Sequence, residues 1–491
     1  MNGSGNGLRK GSLSLVGLVV ISAVLMGPAI SLFFNTPVMA GNAGASVPLV
    51  FLLALVGILL TASTVAQYSQ KLSSAGSFYG FLEEASGRAG GFLTGWATFG
   101  AYLGTAVGGA AITGAFLSQL LESHLHVQVS WYVLALAVAV LVIAISVRGI
   151  KISERVSVVM LAIEALAIAV VIGAIFLKGG ANGFSLKPFT FSGAPSGIDG
   201  IRLAMVFGVL SFVGFEISAS MAEEAEAPRR SVPIAVLGCT LIVGLLYVVG
   251  SYGVVIGYGT ENVDKLASDP AAFDTLMSRY VTSASWIPDL ILVNALFGAT
   301  LAVANTFARI GFALGRDGVL PRGLGVAHAR FGTPVRALLG FGVACLLIMI
   351  PLGLLGEDGL TAYAYISTPA SLLLILVFIA ANLTVGRFYF RRYRSEFKPW
   401  KHVVVPVLGS LVLLLPISAQ FFPTPESPFN YLPLITLGWI AVGIAVLLVP
   451  SSRRRVLASV GAFQPDGGPA PAADPEGETE PAALIPERSD A

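Results

Sequence analysis

Charged residues are scarce in this chain. Asp, Glu, Lys and Arg make up 11% of its 491 residues, whereas a soluble globular protein carries about 25%. The two cysteines, Cys239 and Cys345, both fall inside long apolar runs, which indicates packing and argues against a disulfide framework or a metal site. A G-x-x-x-x-G-K-[ST] phosphate loop and an H-E-x-x-H zinc motif are also missing from the sequence. These absences argue against a soluble domain, an ATP-driven motor on this chain and a zinc enzyme.

Candidate catalytic groups are equally sparse. The chain has four histidines, and all of them fall in predicted loops or at the edge of an apolar run. No nucleophile–base pair is evident within the apolar segments. We therefore predict that the protein is not an enzyme, and we assign no catalytic residue, no metal ligand and no cofactor. A proton remains a candidate coupling ion.

Hydrophobic residues are abundant, at 55% of the chain with a mean hydropathy of +0.83. Apolar runs of about 20 residues recur, and each is long enough to cross a bilayer as a helix. They are too long and too evenly apolar for barrel strands, so we predict an all-α integral membrane protein. The twelve predicted spans lie near residues 13–38, 48–66, 92–121, 131–147, 155–177, 201–222, 233–257, 287–313, 335–356, 360–385, 402–421 and 430–449.

The basic residues indicate an orientation. With a cytoplasmic N-terminus, 23 of the 29 Lys and Arg residues fall on the cytoplasmic side and 5 fall on the external side, the last being Arg488 in the C-terminal tail. An excess of Lys and Arg in cytoplasmic loops is typical of multi-pass proteins. We therefore predict a multi-pass protein of the cytoplasmic membrane with both termini inside, and the basic residues do not predict nucleic-acid binding.

The chain divides into three parts by composition. Residues 1–12 predict a flexible cytoplasmic N-terminus, and residues 13–455 form the predicted twelve-span domain. Residues 456–491 are rich in Pro, Ala, Gly and acidic residues. Such a segment buries too little apolar surface to fold alone, so we predict a disordered acidic cytoplasmic tail. Its role, either as a solvated segment or as a regulatory contact with the basic inner face, stays open.

Two predicted spans are interrupted near their middle. The first reads SAVLMGPAISLFFNTP, with Gly27 next to Pro28, and the sixth reads VFGVLSFVGFEISASMAEE, with Gly208 and Gly214. Proline removes a backbone donor, and glycine tolerates unusual dihedral angles. Because five spans separate the two segments, a second repeat would be inverted relative to the first. Interruptions at matching positions of inverted halves predict a midplane substrate site in a secondary transporter. Kinks that serve only packing are the alternative.

Two acidic residues lie inside predicted spans and away from the span ends. Glu216 follows the interruption of span 6, and Glu164 lies near the middle of span 5. Intramembrane acids are functional-site candidates, and a carboxyl group in apolar surroundings can stay neutral. Each is therefore a candidate for proton or ion coupling. The alternatives are a structural hydrogen bond at either position, which at Glu216 would plug the unwound backbone, and contact with a substrate amine at Glu164.

Three segments carry a resemblance to a known family. FVGFEISASMAEEAEAPRRSVP resembles the sixth-span signature of the amino acid–polyamine–organocation superfamily. ANTFARIGFALGRDGVLPRGLGVAHARFGTPVRAL, residues 304–338, resembles that superfamily's loop after span 8 and is the most specific match. SSAGSFYGFLEEASGRAGGFLTGW, residues 73–96, resembles its entry to span 3. The motifs lie in order over roughly residues 15–340, and the tail from residue 456 is outside the resemblance.

The resemblance implies a five-plus-five inverted repeat with broken helices at spans 1 and 6, two further helices, and alternating access. It places the substrate carboxylate at backbone amides of span 1 and the substrate amine at carbonyls of span 6, with an aromatic gate. Pro28 departs from the Gly-Ser-Gly-like runs of many relatives and contributes no N–H. The residues that these roles fall on are Gly27, Ala29, Ile30 and Ser31 in span 1 and Ser211, Phe212, Gly214 and Phe215 in span 6. A network of Arg309, Arg316 and Asp317 is expected at the inner gate.

These observations predict an amino acid permease that works by proton coupling or exchange, with Glu216 and Glu164 as the coupling residues. Its expected partners are a small amino acid or amine and the lipid bilayer, without nucleic acid or ATP. A transporter of polyamines or small amines is the first alternative, because Pro28 weakens the carboxylate site and two acids could hold a cation. A channel or a non-transporting sensor on the same fold is the second. The substrate, the coupling ion and the oligomeric state stay open.

Overall fold

A computed structural model describes residues 11–73, 76–422, 427–449, 457–458 and 460. Within these residues the chain is helical and has no β-strand, apart from an isolated parallel bridge between Leu13 and Ala225. This confirms the all-α prediction for the described part of the chain. Most of the predicted N-terminal segment and acidic tail lies outside the described residues.

The helices range from single turns to 38 residues. They are α1 (Leu15–Met26), α2 (Pro28–Ile30), α3 (Thr36–Ala43), α4 (Val47–Ser69), α5 (Phe78–Ser86), α6 (Arg88–Leu125), α7 (Trp131–Val147), α8 (Ile150–Leu177), α9 (Gly197–Leu210), α10 (Ile217–Ser220), α11 (Pro228–Tyr258), α12 (Val263–Ala267), α13 (Ala272–Tyr280), α14 (Trp286–Arg316), α15 (Val335–Leu354), α16 (Gly359–Arg392), α17 (Val405–Ser418) and α18 (Leu432–Leu448). A π-helical segment, Ser31–Asn35, joins α2 to α3, and another, Trp400–Val404, leads into α17.

Nine helical stretches of the described chain are long and apolar enough to cross a membrane, so the protein is a multi-pass membrane protein. All twelve predicted spans contain helical residues, but together they account for only nine of these membrane-length stretches. Spans 1 and 2 fall within one of the nine stretches, Leu15–Ser69, α7 is short, and the span 6 helix α9 ends early. The number of twelve crossings and the inverted repeat therefore stay predictions.

Both predicted helix breaks are present. Helix α1 ends at Gly27, which adopts the left-handed conformation (φ +56°) and donates its N–H to the Val24 carbonyl. Helix α9 ends at Leu210, and a run of turns with Gly214 at φ +117° separates it from the single-turn helix α10. Glycine is the residue that adopts positive φ without strain, and Pro28 cannot continue the hydrogen bonding of α1.

The breaks lie at the centre of the helix bundle. Helix α1, which ends at the first break, packs against α8, α11 and α14. Helix α6 packs against α14 and α16. Apolar side chains are also exposed on the outer helices, for example Val159 and Leu166 on α8 and Leu347 on α15. Exposed apolar faces suit a surrounding of lipid, in which the backbone of each helix satisfies its own hydrogen bonds.

Candidate functional site

One tyrosine joins the two helix breaks. The Tyr247 hydroxyl, on α11, lies 2.6 Å from the Met26 carbonyl oxygen and 2.9 Å from the Ser211 carbonyl oxygen. These carbonyls stand at the ends of α1 and α9, where the helices leave them without intrahelical donors. Tyr247 is fully buried, so its single proton is shared between these two carbonyl acceptors. The hydroxyl thereby fixes the spacing of the two breaks.

Side-chain hydrogen bonds add further links between the broken segments. Asn35 Nδ2 donates to Ser211 Oγ at 3.0 Å. On the other side of the breaks, the hydroxyls of Ser22 and Ser218 lie 2.7 Å apart, and Ser218 Oγ also donates to the Leu18 carbonyl at 3.1 Å. The halves of the two interrupted spans are therefore paired with each other on both sides of the gap.

Glu216 is bonded to the interrupted backbone itself. The Tyr102 hydroxyl donates to Glu216 Oε1 at 2.6 Å, and the Gly214 amide donates to Oε2 at 3.0 Å. Gly214 has no room for a side chain, because a Cβ there would lie 2.9 Å from Leu25 Cβ. The glycine two residues before Glu216 therefore serves both the positive φ and the close approach of α1. The carboxyl group satisfies a backbone donor that the break leaves without a helical partner.

Glu164 makes the corresponding contact at the other break. The Ala29 amide, in the single turn α2, donates to Glu164 Oε1 at 2.5 Å. Glu164 belongs to α8 and is 1% exposed. The sequence predicts that the amides of Ala29, Ile30 and Ser31 hold a substrate carboxylate. In this conformation the Ala29 amide bonds to the Glu164 carboxyl group, and the Ser31 amide bonds to the Gly27 carbonyl at 3.0 Å.

A small cavity of about 170 Å³ lies against the two breaks. Its walls come from the segment 25–35 and from α6, α9, α14 and α16. Its polar side chains are hydroxyls and one amide, and none of its described lining residues is charged. The polar lining residues are Ser31, Asn35, Thr105, Ser211, Thr300, Tyr363, Ser367 and Ser371.

A larger cavity of about 580 Å³ shares one wall with the small one. Phe207, Leu210, Val213, Tyr363, Ser367 and Ser371 line both. The larger cavity is mainly apolar, with Ile375 and Phe378 deep inside, and it reaches Gln420 and Phe429 beyond the end of α17. Ser367 Oγ is buried in the shared wall, where it faces Gly108 of α6 and interacts with the Tyr363 side chain.

The predicted site residues divide into two groups. Gly27, Ile30, Ser31 and Ser211 line the small cavity, and Phe215 lines the larger one. The others are buried against protein and line neither cavity: Ala29, Phe212, Gly214, Glu164 and Glu216. The role of each predicted residue in binding or coupling stays a prediction.

One end of the bundle is closed by ion pairs. Arg309 pairs with Glu224, and both side chains are 2% exposed. Arg316 forms a bidentate pair with Glu223 at 3.0 Å on each arm, and the Tyr79 hydroxyl donates to Asp317 Oδ2 at 2.7 Å. The backbone bridge between Leu13 and Ala225 adjoins these pairs. We call these residues the closing network; they include the three that the sequence predicts at the inner gate.

A carboxyl group on α5 lies in the field of this network. The pKa of Glu83 is raised from 4.5 to about 7, first because burial penalises the carboxylate and then because Asp317 and Glu84 repel it. Helix α5 lies outside the stretches long and apolar enough to cross a membrane. The charge of the Glu83 side chain, at the closed end of the bundle, therefore changes close to neutral pH.

Sequence reasoning missed the residues that join the breaks from other elements. Tyr247 stands in an ordinary apolar run, and its partners are 221 and 36 residues away. Asn35 lies near the end of the first predicted span, where it looks like a helix terminus. Tyrosine inside an apolar span was the available signal, since a buried hydroxyl needs a partner, but the sequence does not identify that partner.

Known proteins resemble this chain over most of its length. The sequence profile of a family described as amino acid permease matches residues 12–446. The low-affinity putrescine importer of Escherichia coli K12 is 24% identical over 451 residues, which cover 90% of this chain and 93% of that protein. Cationic amino acid transporter 4 of Mus musculus is 30% identical over 371 residues, covering 70% and 55% respectively. The branched-chain amino acid permease of Bacillus subtilis 168 is 26% identical over 441 residues, covering 84% and 85%.

Proposed function

Because the chain belongs to the amino acid permease family, we propose that it carries neutral amino acids across the cytoplasmic membrane by alternating access. It is a membrane-embedded transporter, and its family consists of permeases, which are not enzymes. The observation that carries the proposal is the small cavity at the junction of two broken helices, whose described lining has no charged side chain. A zwitterion fits such a place, since dipoles of hydroxyls and helix ends can meet both of its charges.

The size of the cavity supports a small substrate. Its volume of about 170 Å³ lies below the roughly 300–1,000 Å³ of pockets that hold drug-sized ligands. The amino and carboxyl groups would occupy this space, and an apolar side chain would extend past Val213 into the larger cavity. Ser367, in the shared wall, would donate to the substrate. The amine would meet the Ser211 carbonyl at the edge of the small cavity, which uses one lone pair for Tyr247 and keeps a second.

Amine transport is the second candidate, since one relative is a putrescine importer. A cation without a carboxylate partner is costly to bury, and the described lining of both cavities contains no Asp or Glu. Glu164 and Glu216 lie behind the lining, where they bond to the backbone. This arrangement favours amino acids over polyamines. A channel or a sensor on this fold would lack saturable, substrate-driven exchange.

The proposed topology has twelve crossings in a five-plus-five inverted repeat with two further helices and both termini cytoplasmic. The paired breaks of α1 and α9 support the repeat, and the distribution of Lys and Arg supports the orientation. The closing network would then lie at the cytoplasmic end. A closed cytoplasmic end and a cavity that reaches the opposite end are what an outward-facing state of an alternating-access transporter requires.

Uptake into proteoliposomes tests the proposed function. Labelled neutral amino acids of several sizes, a cationic amino acid and putrescine are offered with and without an inward proton gradient. We expect saturable uptake and counterflow of neutral amino acids and a raised KM in Ser367→Ala, which loses the hydroxyl in the shared wall. Ser410→Ala is the matched control, because Ser410 bonds within its own helix and lines neither cavity. Transport of putrescine alone would overturn the proposal.

Coupling is tested separately at the two acids. Glu164→Gln keeps an acceptor for the Ala29 amide but cannot release a proton. We expect it to abolish the stimulation of uptake by the proton gradient while counterflow continues, because the contact joins α8 to the break that alternating access would move. Glu216→Gln serves as the comparison, since Tyr102 and Gly214 both hold that side chain. If both variants keep full stimulation, neither acid couples transport to protons.

A further inference from the structure

A third cavity, of about 290 Å³, lies apart from the two at the breaks, where α7 leads into α8. Four basic side chains line it, and its acidic residue, Glu224, is already paired with Arg309. The cavity therefore has a large excess of positive charge. Its lining residues are Arg148, Gly149, Ile150, Lys151, Ile152, Arg155, Glu224, Arg330, Phe331 and Gly332.

Neighbouring acids of the described chain balance the basic groups of this cavity only in part, since Glu154, near the start of α8, interacts electrostatically with Lys151 and Arg155. None of the ion pairs within 4.0 Å in the described residues includes Arg148, Lys151 or Arg155. The Arg330 guanidinium lies over the Phe331 ring, 5.4 Å from its centroid. Like charges gathered around one cavity repel each other, so a bound anion would stabilise the arrangement.

The walls of the cavity are held in place before any ligand binds. Thr333 Oγ1 donates to the Val147 carbonyl at 3.1 Å, which ties the loop before α15 to the end of α7. Gly149 and Gly332, with φ of +116° and +64°, let both loops turn sharply. No side chain caps the first turn of the 28-residue helix α8, so its free amides add to the positive potential of the four basic groups.

The position of the cavity indicates the source of the anion. Ile152 lines it and begins the exposed apolar face of α8, which continues through Val159 and Leu166. Helix α15, which follows the Arg330 loop, exposes Leu339 in the same way. The cavity thus lies beside faces that suit lipid chains, and basic pockets at the ends of membrane helices bind anionic headgroups.

We propose that this cavity binds the phosphate group of an anionic phospholipid, with Arg148, Arg155 and Arg330 as its main contacts. The acyl chains lie along the exposed apolar face of α8. Because Glu224 is part of both the cavity wall and the closing network, the bound lipid adjoins the ion pair that keeps this end of the bundle shut. The site is independent of the substrate that the transporter carries.

Native mass spectrometry of the full chain with added phosphatidylglycerol or phosphatidylcholine tests the site. We expect one phosphatidylglycerol to bind at least tenfold more tightly than phosphatidylcholine, and Arg148→Gln/Arg155→Gln to remove this preference, since each basic contact with an anionic lipid contributes a substantial share of the affinity. The matched control, Arg322→Gln/Arg387→Gln, neutralises two exposed basic residues outside the cavity. We expect this control to keep the preference for phosphatidylglycerol. If both double variants keep the same preference for phosphatidylglycerol over phosphatidylcholine, the proposal is overturned.

Further experiments distinguish the lipid from two other possible ligands of this cavity, a free anion and the acidic C-terminal tail. Arg330→Gln, in an exposed loop, repeats the test if the double variant melts early in phosphatidylcholine alone. Inorganic phosphate that displaces phosphatidylglycerol at millimolar concentration would indicate a free-anion site and contradict the lipid assignment. Tight phosphatidylglycerol binding that appears only after removal of residues 464–491 would indicate that the acidic tail occupies the cavity, which also contradicts it.

Discussion

At the scale of single residues, the breaks depend on groups that replace missing helical hydrogen bonds. The Gly214 amide is bonded by Glu216, the Ala29 amide by Glu164, and the carbonyls of Met26 and Ser211 by Tyr247. Each partner is a side chain from elsewhere in the fold or across a turn. A buried backbone group left without a partner costs more than the hydrogen bond itself contributes. These side chains therefore stabilise an interrupted helix that lipid surroundings would otherwise disfavour.

Tyr247→Phe tests this at one atom. The variant keeps the ring packed against Phe51 and Phe212 but removes the donor that the Met26 and Ser211 carbonyls share, which leaves Met26 with the longer 3.3 Å contact from Ser31 Oγ. We expect a loss of about 1–3 kcal/mol in unfolding free energy and slower transport. Thermal unfolding in detergent and initial uptake rates measure the two effects. Tyr252→Phe, on the same helix with a longer 3.3 Å contact, is the control. An unchanged melting temperature in Tyr247→Phe would contradict the assigned role.

At the scale of elements, helix α5 connects the closed end of the bundle to solution pH. Tyr79 in α5 bonds to Asp317 at the end of α14, and Glu83 lies one turn further along. Because the folded-state pKa of Glu83, about 7, lies above its ordinary 4.5, the folded state holds its proton longer than the unfolded state. Its contribution to stability is therefore greatest below about pH 4.5 and is lost as the pH rises to about 7.

Glu83→Gln removes this titration. We expect the melting temperature of the wild type to fall between about pH 4.5 and pH 7 and that of the variant to fall less over the same range, because glutamine stays neutral. Melting curves in detergent across that range measure the difference. Glu122→Gln is the control, since Glu122 is an exposed carboxylate near the C-terminal end of α6 and is not among the groups that shift the pKa of Glu83. If the melting temperature changes equally with pH in the wild type and in Glu83→Gln, Glu83 does not cause the pH dependence.

At the scale of the whole molecule, the two ends of the bundle differ. The closing network seals one end with the buried Arg309–Glu224 pair and the bidentate Arg316–Glu223 pair. The larger cavity reaches the other end near Gln420 and Phe429. Bidentate pairs with two parallel bonds are among the stronger charged contacts. The network therefore contributes to the stability of this end.

Glu223→Gln weakens the network without emptying its volume. We expect amide hydrogen exchange in residues 12–14 and 217–226 to become about tenfold faster, because loss of one charged hydrogen-bonded contact is worth roughly a factor of ten in the open population. Hydrogen-exchange mass spectrometry measures this. Glu261→Gln breaks the exposed Lys187–Glu261 pair and serves as the control. Unchanged protection in Glu223→Gln would show that other contacts hold this end shut.

The sequence by itself determined the helical membrane class, the positions of both breaks and the two buried acids. These features depend on local chemistry: a run of apolar residues must form a helix in lipid, and Gly27, Pro28 and Gly214 act on their own backbone. It also indicated the lining positions Ser31 and Ser211, which stand beside the breaks in the chain.

Tertiary structure alone decided what each polar group contacts. Glu164 meets Ala29 across 135 residues, Tyr102 meets Glu216 across 114, and Tyr247 meets Met26 across 221. Composition and spacing carry no information about such pairs, because they depend on how distant helices pack. The same packing turned Phe212 and Gly214 into the protein interior and left a cavity whose described lining carries no charge. The residues that break a helix can thus be predicted from the sequence, whereas the residues that supply the missing hydrogen bonds at the break are determined only by the fold.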